Sequence, residues 1–154
     1  MSFSQKILVP TDFSPASALA LDAAALLATQ FGAEISLLYV YDPSLLTPFF
    51  AVPGAGSIIN TVDRTPEFEA TARGDLERLR KERLASVEKV ELLVLQHPSA
   101  AEGICETASK TGCDLIVLST HGRTGLSHML IGSVAERVVR HASCPVLTLR
   151  SKAK

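Results

Sequence analysis

Five short apolar runs punctuate the chain, KILVP at 6–10, EISLLYVY at 34–41, VELLVL at 90–95, DLIVL at 114–118 and PVLTL at 145–149, with longer stretches of helical character between them. A run of five or six mostly apolar residues is too brief for a helix and lacks the polar alternation of a half-exposed strand, so it reads as a strand buried on both faces. Parallel strands need a crossover of a dozen or more residues, which the intervening stretches supply. The pattern predicts an α/β fold, an open, doubly wound, five-stranded parallel sheet with strand order 3-2-1-4-5.

The helical stretches carry their own start and stop signals. Ser14 is placed to cap a helix with Pro15 at its first position, and Ala16 to Gln30 is rich in Ala and Leu before Gly32 offers a stop. From Pro66 to Ala85, Phe68, Ala72, Leu76, Leu79 and Leu84 recur near one face among interleaved charges, the mark of an amphipathic surface helix. Pro98 and Ser99 open a third helix through Lys110, with Gly112 at a plausible cap. Val134, Val138 and Val139 recur at helical spacing in the last one. Pro43, Pro48, Pro53, Gly54 and Gly56 break the segment at about 43–65, which reads as a mobile insertion. No repeat or linker divides the chain, so residues 1–154 are expected to form a single domain.

Charge and cysteine content narrow the partners. Fifteen Lys and Arg stand against sixteen Asp and Glu, a net charge of −1, so no overall field draws the chain to nucleic acid or to an anionic membrane. Cys105, Cys113 and Cys144 lack metal-type spacing and are odd in number, which suits reduced, structural thiols; Cys105 shares a helix with Ala101, Ile104 and Ala108 and is expected to be buried. The opening MSFSQKILVPTDF has one lysine and a four-residue apolar run, short of a signal peptide or a spanning helix. The expected location is the cytoplasm.

In a sheet of this order a ligand lies beyond the carboxyl ends of strands one and four, where neighbouring connections leave in opposite directions. Both ends turn polar: Thr11 and Asp12 after the first run, Ser119 to Gly122 after the fourth. Gly122 permits a close approach to an anion, and Gly132-Ser133 opens a helix whose amides and dipole suit phosphate; the alternative is that these glycines only punctuate turns. Neither GxxxxGK[ST] nor GxGxxG after the first strand is present, which speaks against a P-loop or dinucleotide enzyme. Asp12 has two readings, a ribose or amine acceptor and a cap of the first helix beside Ser14. Arg123 suits either a phosphate or a solvated loop; Arg137 and Arg140 read as a solvated face and His97 as a turn residue. His121 and His128 have no carboxylate or nucleophile at a diagnostic spacing, so loop or phosphate contact is preferred to catalysis and no catalytic residue or metal ligand is assigned.

Three stretches carry a resemblance: ILVPTDFSPAS at 7–17, LLYVYDP at 37–43 and STHGRTGLSHMLIGSVAERVVRHASCPVL at 119–147. Together they resemble the universal stress protein family. The ATP-binding branch carries Gly-x2-Gly-x9-Gly-(Ser/Thr), which fits from Ser119 through Gly122 and Gly132 to Ser133, with Ser119 in place of the first glycine. That serine either crowds a nucleotide or donates a hydrogen bond to it. The resemblance implies that Pro10, Thr11, Asp12 and Val40 surround adenine and ribose, with Leu118 and Ser119 beneath and Val134 close by. It implies that Gly122, Gly132 and Ser133 hold phosphates.

The expected function is an adenine-nucleotide (ATP or AMP) binding regulatory module of the stress response, with Mg²⁺ able to accompany ATP and a protein partner that the sequence does not identify. The alternative is a slow ATP hydrolase or nucleotidyl transferase using the same pocket; the absence of any Asp or Glu between 119 and 135 favours binding. The apolar last run, Pro145 to Leu149, invites pairing as an edge strand, and the family commonly associates through it, so a homodimer is expected.

Overall fold

The computed structural model describes residues 5–46, 65–121 and 131–150. It shows β1 (Lys6–Pro10), α1 (Pro15–Phe31), β2 (Glu34–Tyr41), α2 (Thr65–Arg83), β3 (Val90–Gln96), α3 (Ala100–Thr111), β4 (Leu115–Ser119), α4 (Ser133–His141) and β5 (Val146–Leu149). The strands form one parallel sheet in the order β3-β2-β1-β4-β5. This is the predicted α/β architecture. Between β2 and α2 a single 3-10 turn occupies Pro43–Leu46; the rest of the expected insertion lies outside the described residues.

The period-2 alternation of strand side chains sorts the core into two layers. Ile7, Val9, Ile35, Leu37 and Val117 pack with α1 and with Leu76 of α2 on one face, while Leu8, Leu38, Ile116 and Leu118 pack with α3 and α4 on the other. Central strands are covered twice, and the edges are not: β3 is only half-buried along most of its length, and Leu147 of β5 is 38% exposed. Two-sided burial is thus a property of position in the sheet, since an edge strand has a neighbour on one side alone.

Local signals explain most boundaries. Ser14 accepts the Ser17 amide at the start of α1, with Pro15 in the first turn, and Gly32 ends it in the left-handed region at φ +68°. Ser99 accepts the Glu102 amide and Gly112 closes α3 at φ +66°. The amphipathic helix runs Thr65–Arg83 rather than Pro66 to Ala85, because Leu84 leaves it to be buried against the sheet. The fourth run shifts as well. Asp114 is not in β4: its carboxylate accepts the Gln5 and Lys6 amides at 2.8 and 3.0 Å, tying the start of β4 to that of β1.

The cysteine expectation needs one correction. Cys113 is buried, but Cys105 and Cys144 are half-buried, because the outer side of α3 and the approach to β5 face less of the core. None of the three is in a disulfide, and burial pushes each thiol above its ordinary value. Among the described residues no helix is long and apolar enough to cross a membrane, and no group of three or more His, Cys, Asp or Glu could hold a metal ion.

Candidate functional site

The chain leaves β1 through a tight turn. The Thr11 amide donates to the Leu38 carbonyl at 2.8 Å, fixing the turn to β2, and Phe13 then takes φ +62°. A left-handed backbone costs a residue with a Cβ about 1–2 kcal/mol. Three contacts hold it there. The Phe13 amide donates to Thr11 Oγ1 at 3.0 Å, the Ser14 amide donates to Asp12 Oδ1 at 3.0 Å, and the Phe13 ring tilts against Tyr39 with centroids 4.8 Å apart. An aromatic pair contributes about 0.5–1.5 kcal/mol beyond burial, enough with the two hydrogen bonds to offset the strain. Asp12 accordingly shapes this turn, while Ser14 is the helix cap; the carboxylate still lines the crevice beside it.

Across the crevice, β4 ends in a second tight turn. Ser119 Oγ donates to the His121 carbonyl at 2.7 Å, so the hydroxyl at the motif's first position engages the turn itself. Thr120 is buried; its amide donates to Leu149 at 2.8 Å and its Oγ1 lies 2.9 Å from His121 Nδ1. The Gly132 amide donates to the Thr120 carbonyl at 2.6 Å, pinching together the two sides of the intervening segment. A Cβ on Gly132 would stand 2.9 Å from that carbonyl oxygen. Glycine is required here for close approach, since φ −70° and ψ 155° are open to any residue.

Between these turns lies a cavity of about 310 Å³. Its lining brings together Pro10, Thr11, Asp12, Val40, Leu118, Ser119, Gly132, Ser133 and Val134, nine of the residues singled out from sequence. Gly122, Arg123 and His128 lie outside the described residues. The sequence reading missed Ser17, Ala100, Ile104, Thr120 and Ala135 as lining; His121, expected in a loop or against phosphate, also lines the cavity. Ala100 and Ile104 are one helical turn apart at the start of α3, a pairing visible in sequence once that helix is known to begin at the crevice. They come this near because Gly103 packs against β2 and β3: a Cβ there would lie 3.1 Å from both Val40 Cγ1 and Leu95 Cδ2.

α4 presents its N-terminus to the cavity with no capping side-chain hydrogen bond from Gly132. First-turn amides and the positive end of the helix dipole therefore share the lining with Asp12 and with the apolar Val40, Ile104, Leu118 and Val134. Such a lining offers an anionic group helix amides, hydrogen-bond donors a carboxylate, and a planar ring apolar cover.

A wider crevice of about 690 Å³ opens at the opposite pole of the sheet. It collects the C-caps Gly32 and Gly112, hence the negative ends of α1 and α3. Of its two lysines, Lys6 and Lys89, the first is already shared between Glu34 and Glu91 at 3.4 and 3.5 Å. Size favours this crevice, but topology and chemistry favour the smaller one, because ligands of open α/β sheets bind at carboxyl ends. His97, at the end of β3, lies in a turn as expected, with Nδ1 3.0 Å from the Ser99 amide. Arg137 and Arg140 are exposed on α4, Arg140 paired with Glu136 at 2.9 Å.

Fold and crevice together define a class: an open, doubly wound α/β domain with one cavity at its topological switch point. The chain belongs to the universal stress protein family, which matches residues 4–150. It is 38% identical to the universal stress protein MJ0531 of Methanocaldococcus jannaschii over 152 residues, 97% of this chain and 84% of the relative. It also resembles the solved structure of MJ0577, with a TM-score of 0.74 and 30% identity over 97% of this chain and 98% of the other. Two more distant structures share the fold: a universal stress protein in complex with cAMP (TM-score 0.67, 21% identity, covering 95% and 96%), and one from Archaeoglobus fulgidus in complex with dAMP (TM-score 0.62, 19% identity, covering 96% and 98%).

Proposed function

We propose that the chain is a single-domain, cytoplasmic regulatory module of the stress response that binds an adenine nucleotide, ATP or AMP, in the crevice between β1 and β4. The observation that carries this reading is that the N-terminus of α4, with no side-chain cap, lines the same cavity as Asp12 and the apolar Val40, Ile104 and Leu118. Phosphate fits the first, a sugar hydroxyl or exocyclic amine fits the second, and a base fits the apolar residues. Solved relatives that hold cAMP and dAMP support the ligand class.

In this reading Pro10, Thr11, Asp12 and Val40 surround the nucleoside and Leu118, Ser119 and Val134 line its floor. Gly132 and Ser133 meet phosphate, joined by Gly122 and Arg123 from the neighbouring segment. Ser119 then replaces the first glycine of the ATP-binding motif without opposing a ligand, because its hydroxyl turns to the His121 carbonyl. Mg²⁺ would accompany bound ATP and offset its phosphate charge. Residues 119–135 contain no Asp or Glu to orient a water, so hydrolysis is slow, well below the roughly ten per second of an ordinary enzyme.

Calorimetry with ATP, AMP and GTP tests the reading: adenine nucleotides bind and GTP binds more weakly, whereas no binding at millimolar ligand refutes it. Homodimerisation through β5 belongs to the same proposal, supported by a half-covered edge strand with Leu147 exposed.

A further inference from the structure

We propose that Ser17, with Thr11, is a positioning device that holds Asp12 for nucleotide recognition while offering no hydroxyl hydrogen to the ligand itself; this rests on the nucleotide-binding reading above. Ser17 and Thr11 are both buried, at 4% and 6% exposure, although each carries a polar side chain at the wall of the cavity. Buried hydroxyls keep their hydrogen bonds, so the partners of these two define what they do.

Proton direction follows from the partners. Ser17 Oγ donates at 2.8 Å to the Ser14 carbonyl, which can only accept. A hydroxyl has a single hydrogen, so the 3.0 Å contact between Thr11 Oγ1 and Ser17 Oγ is donated by Thr11. Thr11 Oγ1 in turn accepts the Phe13 amide at 3.0 Å. The sequence of donors therefore runs one way, from Phe13 N–H to Thr11, from Thr11 to Ser17, and from Ser17 to the Ser14 carbonyl. Reversing the Ser17 hydroxyl gives up its 2.8 Å bond and leaves the Ser14 carbonyl with the Ala18 amide at 3.2 Å alone.

Asp12 sits inside this loop of bonds. Thr11 on one side of it is bonded directly to the Phe13 amide and, through Ser17, to the Ser14 carbonyl on the other, and its own Oδ1 accepts the Ser14 amide at 3.0 Å. Phe13 at φ +62° would relax toward the ordinary region if the tie were cut, and that rotation would turn the adjoining Asp12 peptide and swing its carboxylate. The role of Thr11 is thus to carry the tie, and its hydroxyl, with its hydrogen given to Ser17, can meet a nucleotide only as an acceptor. Networks of this kind fix the aim of a binding group without touching the ligand.

The test is a double-mutant cycle read by calorimetry with ATP on the full chain. Ser17→Ala weakens ATP binding about fivefold to tenfold when Asp12 is present and less than about twofold in an Asp12→Asn background, because the tie acts through that carboxylate. Equal weakening in both backgrounds, or none in either, overturns the positioning role while leaving nucleotide binding intact. A wild-type chain that binds no adenine nucleotide overturns the functional reading and this role with it. A ligand-independent measurement stands beside the cycle: hydrogen exchange of the Phe13 amide, followed by NMR. It is protected in the unliganded wild type and in Thr11→Ser, and loses protection in Thr11→Val, which removes its acceptor. A Phe13 amide that exchanges equally fast in the wild type and Thr11→Val refutes the relay. Should Ser17→Ala fail to fold, Thr11→Val against Thr11→Ser completes the same cycle.

Discussion

Replacing Gly132 with alanine puts a methyl carbon 2.9 Å from the Thr120 carbonyl oxygen, a backbone atom that cannot rotate aside. The same carbonyl accepts the Gly132 amide at 2.6 Å, so separating the two segments to relieve the clash also stretches that bond. Overpacking of this kind costs about 1–3 kcal/mol, and weakening the hydrogen bond adds about 0.5–1.5. Against this, alanine restricts the unfolded chain and returns about 0.4–1 kcal/mol, undiminished because the glycine's φ and ψ suit alanine. The net loss is about 0.5–4 kcal/mol. In a domain of this size each kcal/mol moves Tm by about 2–4 °C, so thermal unfolding should shift down by about 1–16 °C. Gly74 is the control. It lies on the exposed side of α2 with nothing within 4 Å of a built Cβ, and Gly74→Ala should raise stability by about 0.5–1 kcal/mol. If calorimetric scans show Gly132→Ala as stable as Gly74→Ala, the pinch between β4 and α4 is not the reason for that glycine.

Other perturbations separate further parts of the structure. Gly112→Ala has open space but a φ of +66°, and should cost about 1 kcal/mol in urea unfolding; a neutral result would show that the end of α3 rearranges without strain. Burial raises the Cys113 and Cys144 thiols, so the stability linked to them is intact below the ordinary thiol value of about 8.5 and is lost as pH rises through the folded values. The urea midpoint should fall between about pH 8 and about pH 10, less so in the Cys113→Ala, Cys144→Ala double variant; equal slopes would refute the assignment. For the proposed dimer, the carbonyls of Pro145 and Leu149 accept from Ile116 and Thr120, which by period-2 alternation turns residue 147 to β4 and the Val146 and Thr148 amides outward. Thr148→Pro should therefore yield a folded monomer by sedimentation, whereas Leu147→Pro damages the sheet itself; a Thr148→Pro dimer would place the seam elsewhere.

The sequence by itself determined what depends on neighbours along the chain. Apolar runs of strand length, Ser14 and Ser99 before helices, Pro15 in a first turn and Gly32 and Gly112 after last turns set the elements, because capping and backbone preference act within four residues. The alternation of those elements determined the parallel sheet, and the polar residues after the first and fourth strands marked the crevice. Tertiary structure alone decided what depends on residues far apart in sequence. Asp114 has the spacing of a strand residue, yet its carboxylate serves amides over a hundred positions away. Ser17 looks like one more small residue of an alanine-rich helix until Thr11 is folded against it. Gly132 reads as a helix start, and only its approach to Thr120 shows why no side chain fits there. Nor does apolar content distinguish a covered strand from an edge: the last run is as apolar as the first, and what exposes Leu147 is that β5 has a neighbour on one side only. Spacing records local geometry, whereas these features arise from long-range contacts that exist only once the sheet has closed the distance.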